Sequence, residues 1–248
     1  VKIAFPTDEH RPYHDRQAVE LALEIVRDFD PDLLIAGSDA LDFYSISPFD
    51  KNPARVKADL QHEIEAWKAG QREWQAAAPR AARPFIPGNH EDRLRRYLWQ
   101  HPEIAGLEAL RLENLLAFDE FGITWDGLPA SEVVVDGRFV FKHGSLVRKF
   151  SGGSARAELE NERHSLSGAS GHTHRGGAFH TRTRGGLVSW YEGFCLCSLE
   201  PEYVTRPDWQ QGILLVTVEN ETVSAEPIPF QDLHGLKVAH WRGKEYLA

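Results

Sequence analysis

Val1-Lys2-Ile3-Ala4-Phe5-Pro6-Thr7-Asp8-Glu9-His10 opens the chain, and Leu33-Leu34-Ile35-Ala36-Gly37-Ser38-Asp39-Ala40-Leu41-Asp42 follows it at a distance of one helix. In each stretch a short apolar run ends in metal-binding side chains. Between them Ala18, Ala22, Ile25, Val26 and Phe29 fall at i, i+4, i+7, i+8 and i+11, the stripe of an amphipathic helix that starts near Arg16. Asp30-Pro31 ends it, because the residue before proline is pushed out of the helical region. The reading is a β-α-β unit whose second strand, Leu33 to Ala36, is buried on both faces. Asp8 and Asp39 then sit just beyond the carboxyl ends of strands, where open α/β sheets place their ligands.

The same plan extends along the chain. Pro84-Phe85-Ile86 reads as a strand and delivers Gly88-Asn89-His90-Glu91, after which a helix runs through Leu94, Tyr97 and Leu98. Val133–Val135, the turn Asp136-Gly137 and Arg138–Phe141 form a hairpin signal that ends at His143-Gly144. A polar helix near Ala155–His164 and an apolar run from Leu166 to Ser170 lead to Gly171-His172-Thr173-His174. A helical insertion is expected over about 54–78, with Leu60, Ile64, Trp67 and Trp74 as its packing stripe. Further strands are expected from about Gly186 to Val223, and the segment after about Pro227 carries no readable chemistry.

Five short motifs therefore offer two carboxylates, one asparagine and four imidazoles, with His90 beside them. Mixed nitrogen and oxygen donors without thiolate suit Mn, Fe, Zn, Ni or Co. A pair of such ions about 3.5–4 Å apart clamps and attacks a phosphate ester.

In order and wording the motifs resemble the calcineurin-like metallophosphoesterase superfamily, over about Val1 to Arg175. Phe43-Tyr44 with Ser45-Ile46-Ser47, and the run Gly88-Asn89-His90-Glu91-Asp92-Arg93-Leu94, look like its small stand-alone members from bacteria and phages. The resemblance implies an α/β fold of two packed mixed sheets flanked by helices, a four-layer sandwich formed by one domain over 1–248. It implies that Asp8, His10 and His174 bind one metal, that Asn89, His143 and His172 bind a second, and that Asp39 bridges them. Two divalent ions, manganese first among them, are the cofactors implied. A water or hydroxide between the metals would attack in line, with His90 as general acid, so no covalent enzyme intermediate is expected. Asp42 and Glu91 are expected to support the ligands, and Arg11, Arg93 and Arg175 are candidate phosphate contacts because each adjoins a ligand motif. One departure stands out: the family carries glycine directly before the bridging aspartate, and here that residue is Ser38, which is expected to shift Asp39 or force the loop to adapt.

Composition sets limits. The 248 residues carry a net charge of −9, which argues against a broad grip on nucleic acid but leaves a nucleotide or short nucleic-acid substrate open, since metals supply local positive charge. Between Ala54 and Arg96 nine basic residues outnumber six acidic ones, a local reversal read as a solvated helical face. Cys195 and Cys197, the only cysteines, lie two apart and read as buried thiols, a poor geometry for bridging each other. With no signal-peptide pattern and no run of 18 apolar residues, a cytoplasmic protein that does not engage a membrane is expected. His62, His101, His164, His180, His234 and His240 match no motif and read as surface or capping residues. The leading function is hydrolysis of a phosphoester, diester before monoester. The alternatives are a phosphomonoesterase or protein phosphatase, a DNA-processing nuclease, and a catalytically silent metal-binding scaffold.

Overall fold

The structure, a computed structural model, describes residues 1–52, 59–162, 166–201 and 204–248. The first residues of the expected helical insertion, and His164, lie outside that set.

β1 (Lys2–Phe5) is followed by α1 (Arg16–Phe29), whose N-terminus is capped by Asp15 accepting from the Ala18 N–H at 3.1 Å and whose C-cap is Asp30 in the left-handed region. The expected second strand is broken in two, β2 (Leu33–Leu34) and β3 (Ala36–Gly37). The break comes at Ile35, whose N–H turns back to the Ala4 carbonyl while Leu33 bridges to Ala82. α2 (Leu60–Ala77) leads to β4 (Arg83–Ile86), α3 (Asp92–Gln100), α4 (Leu112–Leu115) and β5 (Ile123–Thr124). β1 pairs in parallel with β2, and β3 pairs in parallel with β4, which pairs in parallel with β5. On its other side β1 pairs antiparallel with β11 (Gly212–Glu219), which carries β12 (Thr222–Pro229) at the edge.

The second sheet runs in the order β6 (Val133–Val135), β7 (Phe139–Lys142), β8 (Ser167–Ser170), β10 (Gly186–Glu192), β9 (Ala178–Thr183). The β6–β7 turn is made by Asp136 and Gly137, both at positive φ, the conformation that a two-residue hairpin requires. α5 (Gly153–Glu160) is shorter than the expected helix. Of the further strands expected from about Gly186 to Val223, β10, β11 and the start of β12 form, and the described residues between β10 and β11 hold only isolated bridges.

Alternation along β1 and β11 explains the layering. Ile3, Phe5, Leu214 and Val216 face Phe139, Phe141 and Ala169 of the second sheet, whereas Ala4, Ile213 and Leu215 face α1. Strands buried on both faces read as continuous apolar runs, as Ile213–Val216 does. α5 covers the outer face of the second sheet through Ala155 and Leu159 against Val140 and Trp190. The architecture is therefore α/β/β/α, two packed mixed sheets with helices outside. The stretch after Pro227, silent in sequence, is a three-stranded sheet of β13 (Gln231–Leu233), β14 (Leu236–Trp241) and β15 (Lys244–Leu247). It packs Ala239, Trp241 and Tyr246 against α1.

Phe141 sits between the sheets, its ring 5.3 Å from that of Phe5. Phe141→Ala is expected to cost about 3–5 kcal/mol in urea denaturation. Phe150→Ala, at a side chain 68% exposed, is expected to stay within about 0.5 kcal/mol. Equal losses at the two sites would contradict the inter-sheet core.

Candidate metal centre

The loops that leave β1 and β3 run side by side. The Asp8 N–H donates to the Ser38 carbonyl (2.8 Å), His10 to Asp39 (2.9 Å), Arg11 to Ala40 (2.9 Å), and Asp42 returns a bond to the Arg11 carbonyl (3.0 Å). The loop after β4 is tied to them by the buried Glu91 carboxylate. It accepts from the N–H groups of Gly88 (2.7 Å), Asp39 (3.0 Å) and Leu41 (3.2 Å). His90 N–H donates to Asp39 Oδ1 at 2.8 Å, and a Cβ on Gly88 would collide with that same oxygen, so only glycine lets the two loops approach. The loop after β8 joins through His172 N–H, which lies 3.0 and 3.1 Å from the two Asp8 oxygens.

Seven side chains from five loops converge here. His174 Nε2 is 3.2 Å from Asp8 Oδ1, and the Nε2 atoms of His10 and His174 are 3.1 Å apart. His10 Nε2 is 4.0 Å from Asp39 Oδ2, and His143 Nε2 is 3.3 Å from that oxygen and 3.0 Å from Asn89 Oδ1. Asp39, His143 and His172 form one three-donor group. Imidazole nitrogens and carboxylate oxygens turned toward the same space need a cation among them, which protons supply in the metal-free protein and a metal ion can supply in their place. The donor set thus fits divalent metal, with Asp8, His10 and His174 on one side of Asp39 and Asn89, His143 and His172 on the other. The buried side is closed by protein, while Asn89 is exposed and His172 half-buried, so the centre opens toward solvent beside the second set. A recess of about 400 Å³ lined by Asn89, His143, Arg95, Arg96 and Lys142 adjoins that opening.

Backbone strain concentrates at these ligands. Asp8, His10, Asp39, His172 and His174, together with Ser38, all have positive φ although none is glycine. Such conformations cost on the order of 1–3 kcal/mol each and persist where surrounding contacts enforce them. The position where the sequence resemblance calls for glycine does adopt a glycine-type conformation, with Ser38 at φ 60°.

Charge is balanced within the cluster. Burial alone would raise the Asp39 carboxyl, but His143 and His90 hold it well below the usual carboxylate range. Burial likewise opposes ionisation of Asp8, and His174 and His10 reverse it. Burial would lower the imidazoles of His143 and His174, yet Asp39 beside the first, and Cys197 and Asp8 beside the second, raise both to about 9. His90 and His172 are lowered, chiefly by burial.

The remaining sequence candidates separate by geometry. Asp42 approaches His10 Nδ1 (3.3 Å) and His90 Nδ1 (3.6 Å), and Arg93 donates to Asp42 Oδ1 (3.0 Å) and lies 2.9 Å from His90 Nε2. His90 is almost fully buried and shares a three-donor group with His10 and Asp39. Arg11 is buried and bound to Glu9 (2.6 Å) and Glu73 (2.8 Å), which ties the first loop to α2. Arg175 donates to the carbonyls of Arg148 (2.7 Å) and Asp208 (3.3 Å) and links two outer loops. Sequence reasoning missed Cys197, whose Sγ lies 3.8 Å from His174 Nδ1, and Trp209, whose ring stands 4.2 Å from that of His174. No local pattern marks either, since both arrive on the irregular segment after β10.

Comparison with known proteins finds relatives that match along nearly the whole chain. The Gene 54 protein of Mycobacterium phage D29 is 28% identical over 244 residues, covering 92% of this chain and 93% of that protein. Its counterpart in Mycobacterium phage L5 is 27% identical over 240 residues with the same coverage. No family model matches the chain. Among solved structures, a double mutant of Vps29 from Entamoeba histolytica aligns over 100% of this chain and 97% of its own, at TM-score 0.45 and 8% identity. The protein TT1561 of Thermus thermophilus aligns over 91% and 98%, at TM-score 0.40 and 9% identity. The functional reading therefore rests on the site itself.

A protonated imidazole has no lone pair to offer, so an ion entering the centre must displace protons from His143 and His174. Metal affinity is expected to rise with pH toward about 9, the value both imidazoles hold in the metal-free protein. Chelator competition and calorimetry in buffers of different ionisation enthalpy measure this. Affinity that is flat across that range, with no proton release, would show that these imidazoles are not ligands.

Proposed function

We propose that this chain is a metallophosphoesterase of the calcineurin-like type that hydrolyses phosphodiesters at a dinuclear centre. The observation that carries the reading is the convergence of the seven donors around Asp39, with His90 Nε2 held 3.9 Å from Asp39 Oδ2 and pointing at the same space. Two divalent ions bound there, manganese first among those the donors suit, would supply Lewis-acid stabilisation of a phosphoryl oxygen and activation of water.

The chain's own groups have separable tasks. Asp39 turns Oδ2 toward both halves of the centre while its Oδ1 accepts from the His90 N–H, and Asn89 contributes a neutral carbonyl oxygen at the open side. His90 is fixed by its Nδ1, which lies 3.0 Å from the Asp42 carbonyl. A carbonyl only accepts, so Nδ1 carries the hydrogen and Nε2 is the nitrogen that exchanges a proton. Its neighbour Arg93 is a guanidinium that only donates. The leaving oxygen of the ester, negative as its bond to phosphorus breaks, would satisfy both groups at once: Arg93 donates to it, and His90 in its protonated form gives it the Nε2 proton. That service matters for a diester, whose alkoxide leaves poorly without a proton. A nucleotide or short nucleic acid is the substrate class we favour.

The test is hydrolysis of bis-p-nitrophenyl phosphate beside p-nitrophenyl phosphate on metal-stripped protein reloaded with Mn. Faster diester turnover is expected. Monoester preference would make the protein a phosphatase, and silence on both with two ions bound would make it a scaffold. His90→Asn is expected to lower diester kcat by about 10²–10⁴-fold with both ions retained. Loss of an ion in that variant would instead make His90 a ligand.

A further inference from the structure

Thr7 and Ser38 are neither ligands nor phosphate contacts, yet both are buried in the middle of the centre. Thr7 Oγ1 lies 2.7 Å from Asp8 Oδ2 and 2.7 Å from Ser38 Oγ, and Ser38 Oγ lies 3.0 Å from His143 Nδ1. The four groups form one unbroken chain from a ligand of the first half to a ligand of the second. We propose that Thr7 and Ser38 are positioning residues whose hydroxyls hold His143 in the tautomer that offers Nε2 to a metal. The inference rests on the dinuclear reading above.

Proton counting fixes the direction of the chain. Both Asp8 oxygens accept from the His172 N–H, and Asp8 Oδ2 also accepts from the Thr7 hydroxyl, so the Thr7 hydrogen points to Asp8. The competing acceptor for that proton, the Ser38 carbonyl, is neutral and farther away at 3.1 Å, and the charge-assisted bond is the stronger. With its single hydrogen committed to Asp8, Thr7 faces Ser38 as an acceptor, and Ser38 must donate to it. Ser38 has then no hydrogen left for His143, so His143 Nδ1 is the donor to Ser38 and Nε2 is the nitrogen whose proton gives way to a metal. Nε2 lies 3.3 Å from Asp39 Oδ2 and 3.0 Å from Asn89 Oδ1, the other donors of the second half, and an ion among them takes the place of its proton. The opposite tautomer would need Ser38 to donate to Nδ1, leaving two hydroxyl oxygens 2.7 Å apart with no hydrogen between them.

Two further observations support a retained device. Gly171 has no positive φ, but a Cβ there would run into Thr7 Oγ1, Asp8 Oδ2 and Ser38 Oγ, so its glycine makes room for the hydroxyl pair. Ser38 occupies a left-handed conformation that favours glycine, so a serine there acts against backbone preference and its hydroxyl is the compensation.

The experiment uses full-length protein and Zn alone as the probe, with elemental analysis and competition titration reading each ion separately. Ser38→Gly suits the backbone and removes the hydroxymethyl side chain. It is expected to weaken the second ion about 10–100-fold and leave the first unchanged, the usual scale for losing a partner behind a metal-binding histidine. Thr7→Val is expected to weaken the second ion as well, Thr7→Ser to match wild type, and the double variant with Ser38→Gly to lose no more than Ser38→Gly alone at that ion. Long-range imidazole ¹⁵N spectra of the Zn form should show His143 protonated at Nδ1 in wild type. Wild type holding two ions with Ser38→Gly unchanged would overturn the relay and leave the dinuclear centre standing. Wild type holding fewer than two ions would overturn both.

Discussion

The Glu91 carboxylate is the constraint on which the site depends. It is buried, and burial together with the Asp39 charge pushes it up to about 7, so an isolated carboxylate would be costly there. Three backbone N–H groups, from the loops after β3 and β4, offset that cost by bonding to it. Each of those N–H groups would cost about 1–3 kcal/mol if buried without a partner. The arrangement therefore holds Asp39 and His90 as one unit, and the parallel backbone bonds from Asp8, His10 and Arg11 bring the first loop to the same unit. Ligand geometry is set by the Glu91 carboxylate and by loop-to-loop backbone bonds together.

The sheets explain why five loops meet. β1 runs parallel to β2 and β3 to β4, with an isolated parallel bridge from Leu33 to Ala82 joining the two pairs, and β7 runs parallel to β8 in the second sheet, so the ligand loops all leave carboxyl ends of strands. The inter-sheet core of Ile3, Phe5, Phe139 and Phe141 fixes the separation of those edges. Tight packing converts into site precision because the strained loops have little freedom. Five of the seven ligands at positive φ could not be held by side-chain contacts alone, and the surrounding hydrogen bonds supply the restraint.

Much of this was legible in the sequence. The β-α-β start, the Asp136-Gly137 hairpin and the placement of each motif at a strand end follow from local periodicity and turn chemistry, which depend on neighbouring residues. The break at Ile35 was not legible, because it arises from a bond to β1 and a bridge to Ala82, partners distant in sequence. Arg11 adjoins a ligand motif and so looked available to phosphate, but its guanidinium is held by Glu73 from a helix 62 residues away. Ser38 was readable as a departure from a familiar pattern. That its hydroxyl joins Thr7 to His143 needed three loops in place. The sheet after Pro227 lacked any signal beyond short apolar runs, since its packing partner is α1 at the other end of the chain.

Diffraction from crystals soaked in Mn, collected at a wavelength where manganese scatters anomalously, tests the central claim directly. The account predicts two anomalous peaks about 3.5–4 Å apart. One would lie among Asp8, His10 and His174, the other among Asn89, His143 and His172, with Asp39 between them. A single peak, or peaks away from Asp39, would contradict it.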